Sequence, residues 1–229
     1  MTGSDLRAFE LFRDLDDATR QDIAASCSAR ELGNGELVIA YNDPDFDVHF
    51  LLSGTLQVNL YSADGQRVGY QELTAGVMFG EISALDGLPR SASVEAHGRC
   101  RVARMPRSRF LGLMEKNPRF AMAVCRQLAA HVRRLTTRVF EFSTMAVRQR
   151  LRAELLRLAE RGASGPDSAL IDPLPTHAEL ASRISTHREA VSREMAWLEA
   201  NGFTAKRGRS LSIPSLAKLS ALLEEGWEQ

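Results

Sequence analysis

Hydrophobic and polar positions change period twice along this chain. Between residues 6 and 27, acids are interleaved with Phe9, Leu11, Phe12, Leu15 and Ile23, a spacing that predicts one or two short surface helices. Strand-length segments follow at residues 36–40, 48–52 and 55–61, with polar turns between them. Asp64-Gly65 is a two-residue hairpin signal, and residues 67–73 read as the returning strand. Gly80 and Glu81 open a short helical turn over 82–85, a Gly-Leu-Pro turn follows, and residues 91–95 and 100–105 return to strand character. Several short strands at this spacing predict a small barrel or jelly roll, which closes its edges on itself.

The period then becomes helical. Asn117-Pro118 marks a helix start, with Asn as N-cap and Pro at the first helical position. Nothing breaks that helix before about Phe142. Its apolar positions, Cys125, Leu128, Val132, Leu135, Val139, Phe142 and Ala146, fall in alternating steps of three and four, a coiled-coil stripe. Such a stripe packs either on its own domain or on a second copy. A helix of about 25 residues spans about 37 Å, longer than a small barrel covers, which favours a dimer seam. Residues 143–146 interrupt the pattern with two hydroxyl side chains able to cap a new helix, and 147–161 form another amphipathic segment through Val147, Leu151, Leu155, Leu156 and Leu158. Residues 162–175 are rich in Gly, Ser, Pro and Asp and read as a loop. Thr176 and Glu179 form a capping box that opens a helix through Leu180 and Ile184. Ser185-Thr186 makes a tight turn, a second helix runs over 187–200, and Lys206-Arg207-Gly208-Arg209 sits at a hairpin tip. Helix, turn, helix and basic hairpin make a winged helix-turn-helix, so the chain as a whole is α+β.

Composition adds a division of charge. The 229 residues carry no net charge, yet residues 1–100 hold 7 Lys/Arg against 16 Asp/Glu, a net of −9, and the remainder balances this at +9. Opposite signs of this size in the two halves imply that the second half meets a polyanion. The longest apolar runs fall short of the roughly 18 residues that a membrane span needs, and the N-terminus has no basic-then-apolar signal pattern. A cytoplasmic protein without a membrane partner is the expectation. Cys27, Cys100 and Cys125 are too far apart for a metal or iron–sulfur cluster and read as packing residues. A haem sensor would need an axial ligand such as His49, His97 or His131, each of which reads more simply as a packing or surface residue. No phosphate loop, Gly-x-Ser-x-Gly elbow or zinc-spaced His/Glu set is present, which argues against an enzyme and against a metal.

Two clusters carry chemistry. In the first, Gly80 allows close approach to backbone N–H groups at a helix start, which attract anions. Arg90 supplies a planar fork for two phosphate oxygens and Glu81 accepts from a ribose hydroxyl, a set suited to a phosphorylated sugar. The second is the exposed arc of the second C-terminal helix. There Arg188 and Arg193 can donate to guanine O6 and N7, Glu189 can accept from cytosine N4, and Val191, Met195 and Leu198 pack inward. The plainer alternative is a solvated face held by a Glu189–Arg193 pair. Lys206, Arg207 and Arg209 on the wing suit phosphate contacts, which fix register without reading sequence.

The stretch FGEISALDGLPRSA, residues 79–92, resembles the phosphate-binding cassette of cyclic-nucleotide-binding domains. Nearly the whole chain is similar to the CRP/FNR family of bacterial transcription regulators, in its cyclic-nucleotide-binding, catabolite-activator type. The resemblance implies a β-roll over residues 1–116, a dimerisation helix and hinge over 117–145, and a winged helix-turn-helix over 146–229. It implies that Gly80, Glu81, Ile82, Arg90, Ser91 and Ala92 hold a cyclic nucleotide, with its base against Leu135, Thr136 and Thr137. Those hydroxyls leave cAMP and cGMP both open. It further implies a homodimer on palindromic double-stranded DNA, with half-sites resembling TGTGA. Thr176, His187, Arg188, Glu189, Arg193, Lys206, Arg207 and Arg209 would contact that DNA, and the loop over 162–172 would be a surface for RNA polymerase. A member with a vestigial or non-nucleotide effector site is the alternative. Two departures from the family pattern stand out: Asn42 and Ser185 occupy turn positions where the family usually has glycine.

Overall fold

The acid-interleaved start of the chain, expected on the surface, is core. The computed structural model describes residues 2–61, 67–162 and 165–224. Helix α1 (Gly3–Leu6), a 3-10 turn (Glu10–Phe12) and helix α2 (Asp17–Ala25) bury Leu6, Phe9, Phe12, Leu15 and Ile23. The rings of Phe9 and Phe12 lie 5.5 and 5.4 Å from that of Phe50, and Phe12 stacks on Phe120 at 5.6 Å. Each fully buried phenyl stabilises by about 1.5–3 kcal/mol, so short helices of weak propensity are held by what they cover.

Strands β1 (Ser28–Leu32), β2 (Leu37–Ile39), β3 (Val48–Tyr61), β4 (Arg67–Thr74), β5 (Met78–Phe79) and β6 (Ser93–Met105) form one antiparallel sheet in the order β1-β6-β3-β4. Strand β2 also pairs with β6, and β5 with β3. The predicted segments 48–52 and 55–61 are one strand, as are 91–95 and 100–105. Pairing survives the break because register shifts between Leu51 and Thr55 absorb it. Gly54, at φ +87, makes that bend, and a Cβ there would lie 2.4 Å from the Arg99 carbonyl oxygen. Strand β1 shows no apolar alternation, only Leu32 being buried, and so escaped the pattern. The Asp64-Gly65 turn lies outside the described residues. One side of the sheet, with Val48, Phe50, Ala103 and Met105, meets the aromatic cluster. The interior of the roll is filled by Leu32, Ile39, Leu51, Leu56, Phe79, Val94 and Val102.

Helices α3 (Glu81–Asp86), α4 (Arg107–Lys116) and α5 (Pro118–Thr144) follow the strands they cover. Residues 107–116, given no element above, form α4 around buried Phe110. Contacts divide the chain into two units, Met1–Arg133 and Arg134–Gln229, with α5 running through the boundary. Within the first unit α5 buries Phe120 and Val124, rests Leu128 on the aromatic core, and donates from Gln127 Nε2 to the Met78 carbonyl at 3.0 Å. The expected stripe therefore splits. Leu128 serves its own domain, whereas Cys125, Val132, Val139 and Phe142 are exposed.

The second unit comprises α6 (Val147–Ala159), a 3-10 turn (Glu160–Gly162), β7 (Ala169–Ile171), α7 (His177–Arg183), α8 (Arg188–Ala200), β8 (Ala205–Arg207), β9 (Ser210–Ile213) and α9 (Leu216–Glu224). The stretch read as an open loop over 162–175 contains β7, which buries Ala169 and Ile171 and completes the sheet β7-β9-β8. Residues 216–224 were given no element above and form helix α9. It adds Leu219 to the core, and its start is held by Asp167, which accepts from Ser215 Oγ at 2.6 Å and from Ala217 N–H at 2.7 Å. The hydroxyls near the α5–α6 break do not cap α6. Thr144 Oγ1 donates back to the Phe140 carbonyl at 2.7 Å, and the Ala146 N–H is taken by Gln149 Oε1 at 2.9 Å.

A buried charge cluster spans that break. Glu141 of α5 accepts from Arg157 Nη1 of α6 at 2.5 Å, and Glu154 of α6 meets Arg138 at 3.3 Å, Arg157 at 2.9 Å and Arg183 at 3.4 Å. Arg138 also donates to the Arg183 carbonyl at the end of α7. Burial alone would raise the Glu154 pKa, but the surrounding arginines, Arg157 first, hold it below its usual value.

Candidate functional site

In the first unit, Gly80 ends the two-residue strand β5 and serves as N-cap of α3 with φ +80. A Cβ at that position would lie 2.7 Å from Arg90 Nη1, so glycine is required both by backbone conformation and by the arginine behind it. Glu81 is buried and Ile82 is exposed, Arg90 is 2% exposed, and Ser91 and Ala92 lead into β6 as an exposed and a half-buried residue. Of the cassette residues, Gly80 lies directly against the Arg90 guanidinium.

That guanidinium is not the open fork the sequence suggested. Arg90 Nη1 donates to the Gly80 carbonyl at 2.8 Å, and Nη2 donates to Asp45 Oδ2 at 2.8 Å and to the Asp47 carbonyl at 2.6 Å. Nε alone is buried without a partner. The main chain closes the arrangement, since Asn42 N–H donates to the Arg90 carbonyl at 2.8 Å and Arg90 N–H to that of Asp43 at 3.0 Å. Asn42 takes φ 64 there, so an Asn meets the left-handed requirement of the turn.

Sequence reasoning missed the charges around Arg90. Arg104 on β6 binds Asp47 Oδ2 through Nε at 2.6 Å and Asp45 Oδ1 through Nη2 at 3.2 Å. Asp47 Oδ1 accepts from the Arg107 N–H that begins α4, at 3.0 Å. His49 is buried on β3, stacked on Phe79 at 5.3 Å, with Nδ1 unpartnered. Burial, seconded by the nearby Arg90 charge, pushes its pKa down to about 4, so it is neutral at pH 7. Asp45 is held below the usual carboxylate range although its burial works the other way, because Arg90 hydrogen-bonds it. The visible signal was a run of three aspartates within residues 43–47.

Leu135, Thr136 and Thr137 lie on the part of α5 that belongs to the second unit, half-buried and exposed respectively. In the same unit, Thr176 N-caps α7. Its Oγ1 accepts from Glu179 N–H at 3.2 Å, and Thr176 N–H donates to Glu179 Oε2 at 2.7 Å. Ser185 occupies the turn at φ 50. His187 N-caps α8 by position but without a side-chain bond. Arg188, Glu189 and Arg193 are exposed, while Val191, Met195 and Leu198 are buried as the period required. Among the described residues, no Glu189–Arg193 ion pair forms. Lys206, Arg207 and Arg209 are exposed around the β8–β9 turn, where Arg207 pairs with Ser210. His177 links α7 to α8 through Nδ1 and Ser192 Oγ at 2.8 Å. Burial lowers its pKa, and Lys206 and Arg188 lower it further, a sign of the positive field on this face.

Among the described residues there is no group of His, Cys, Asp and Glu able to hold a metal, and no helix is long and apolar enough to cross a membrane.

Known proteins place both units. Residues 29–117 match the cyclic nucleotide-binding domain, and residues 149–222 match the Crp-like helix-turn-helix domain. A CRP-like cAMP-activated global transcriptional regulator of Mycobacterium tuberculosis is 25% identical over 187 residues, 81% of this chain and 84% of that one. Among solved structures, a CooA variant from Carboxydothermus hydrogenoformans superposes with a TM-score of 0.78 at 18% identity, covering 88% of this chain and 90% of the other. The c-di-GMP-responsive global regulator CLP of Xanthomonas campestris gives 0.74 at 20% identity, covering 86% and 99%. With these two domains in this order on one chain, the protein belongs to the CRP/FNR family of transcription regulators.

Proposed function

We propose that the protein is a homodimeric regulator, not an enzyme, that reads palindromic DNA in the cytoplasm under control of a cyclic nucleotide, cAMP or cGMP. The observation that carries the reading is the exposed set Arg188, Glu189 and Arg193 on α8, without an ion pair among the described residues, together with the exposed Lys206, Arg207 and Arg209. A helix of this kind enters the major groove with its N-terminal residues at base edges, and two copies meet half-sites about 34–36 Å apart. The second copy docks along the exposed positions of α5, Val139 among them. Leu135→Glu sets like charges against each other there and is expected to give monomers that bind DNA weakly; an unchanged dimer in sedimentation places the seam elsewhere. RNA polymerase meets the loop over 162–172, in which Gly165, Pro166 and Asp167 are exposed.

The effector binds at the cassette, with the phosphate at Arg90 and Gly80 and the ribose at Glu81. The direct test is calorimetry with cAMP and cGMP, followed by operator affinity with each nucleotide present. A twofold-symmetric site bound equally well at all concentrations of both, with no heat of binding, removes the nucleotide from this reading. The engagement of both terminal nitrogens of Arg90 by protein acceptors favours one second reading, a cassette that answers to a different effector.

A further inference from the structure

The cassette arginine already has an anion. Arg90 is almost fully buried, and a cation in that position needs a counter-charge. Asp45 provides it, from a segment between β2 and β3 that has neither helix nor strand, with a side chain one-third exposed. Two features show that Asp45 is not needed to aim Arg90. The Gly80 and Asp47 carbonyls already fix both terminal nitrogens, and they are neutral backbone groups. Asp45 also has a second home. Its other oxygen is held by Arg104, whose side chain is 54% exposed and can follow it outward.

We propose that Asp45 is a built-in competitor for the anion position of the cassette, exchanged for the phosphate of an incoming ligand while Arg104 retains the displaced carboxylate. The inference rests on the cyclic-nucleotide reading and adds the residue that sets its threshold. A phosphate that arrived while Asp45 stayed would place two anions on one guanidinium, a like-charge clash that disfavours binding strongly. With Nη2 fully used, the phosphate has only Nε and one remaining Nη1 hydrogen to bind until Asp45 leaves. Exchange frees Nη2 next to Nε, which restores the two-point fork. It also moves a carboxylate whose neighbours Asn42 and Asp43 are bonded to the Arg90 main chain, so occupancy of the cassette is felt along residues 42–47.

The test uses the full-length protein in calorimetric titrations with cAMP, cGMP and the uncharged nucleosides adenosine and guanosine. Asp45→Asn keeps the shape and removes the charge. It is expected to tighten cyclic-nucleotide binding by about tenfold or more while leaving nucleoside binding as in wild type. Arg104→Gln, which removes the second home, is expected to weaken the cyclic nucleotide, and thermal melting reports whether each variant is folded. Wild-type protein that binds nucleotide, with Asp45→Asn binding no tighter or Arg104→Gln binding equally well, overturns the exchange and leaves the nucleotide reading standing. Binding gained by Asp45→Asn where wild type shows none supports it most directly. No binding by either protein removes the nucleotide reading and the exchange together.

Discussion

Arg90 in the cassette and Arg188 on the recognition helix carry the same group in opposite states. Arg90 is 2% exposed and holds three protein acceptors; Arg188 is exposed and, among the described residues, holds none. The difference follows from what each surface must do. A buried guanidinium is held within a fraction of an ångström, but any ligand has to exchange for a partner already present. An exposed one is hydrated and mobile, and contributes little to stability; what it offers is attraction to a polyanion and a geometry for base edges. Interior charge in this protein is governed by the fold, exterior charge by the partner.

The sharpest way to break that contrast is to titrate the interior. His49 is neutral because burial disfavours its charged form and the Arg90 and Arg104 charges add to this, against the opposing pull of Asp45 and Asp47. Its folded pKa is depressed to about 4 from 6.5, so its contribution to stability is complete above about pH 6.5 and is lost as pH falls toward 4. The expected loss is about 3 kcal/mol, read as the urea midpoint of the first unit against pH. His49→Phe should flatten the curve over that window, leaving only the carboxylate-driven fall at lower pH. An unchanged slope means that the imidazole is already solvated.

Truncation of the arginines comes next. Arg90→Leu leaves Asp45 and two carbonyls without their donor and should destabilise the first unit by about 2 kcal/mol, less than a fully buried pair because Asp45 is partly exposed. Arg188→Ala should change the stability of the second unit by no more than about 0.5 kcal/mol. Equal costs in denaturant unfolding would erase the distinction between the two arginines. On DNA the order reverses within the second unit. Arg188→Ala should cost about 1–3 kcal/mol on the specific operator and blunt discrimination at one guanine, with random DNA unaffected. The smallest effect belongs to the wing: Arg207→Ala should weaken all sequences alike and reduce the slope of log affinity against log salt by about one. A sequence-dependent loss there would make Arg207 a reader and not an anchor.

How much of this was legible depended on how local the signal was. The capping box at Thr176 and Glu179, the inward set Val191, Met195 and Leu198, and the glycine before Glu81 are fixed by a few neighbouring residues, and each stands where the spacing put it. The N-terminal phenylalanines were read as surface because acids separate them. Their burial depends on Phe50 and Phe120, dozens of residues away. Strand β7 and helix α9 exist because β9 and Asp167 hold them, and three apolar residues among turn formers carry no period of their own. The engagement of Arg90 was invisible in the sequence, since Asp45 reaches it from 45 positions away and is itself held by Arg104. The same holds for Ser185. Its φ of 50 is a left-handed conformation that local preference would not have chosen for a serine.

The charge cluster across the α5–α6 break has a mechanical consequence. A two-residue gap between helices is ordinarily a loose joint, in which torque applied to one shaft is lost before it reaches the next. Here Glu141 and Arg138 on the last turns of one shaft are bolted to Glu154 and Arg157 on the other, and Arg138 and Glu154 also grip Arg183. Arg183 is five residues from Arg188, the first residue of α8. The joint is therefore braced: the last turns of α5, the helix α6 and the end of α7, which leads into α8, are tied to one another through five charged side chains and a carbonyl.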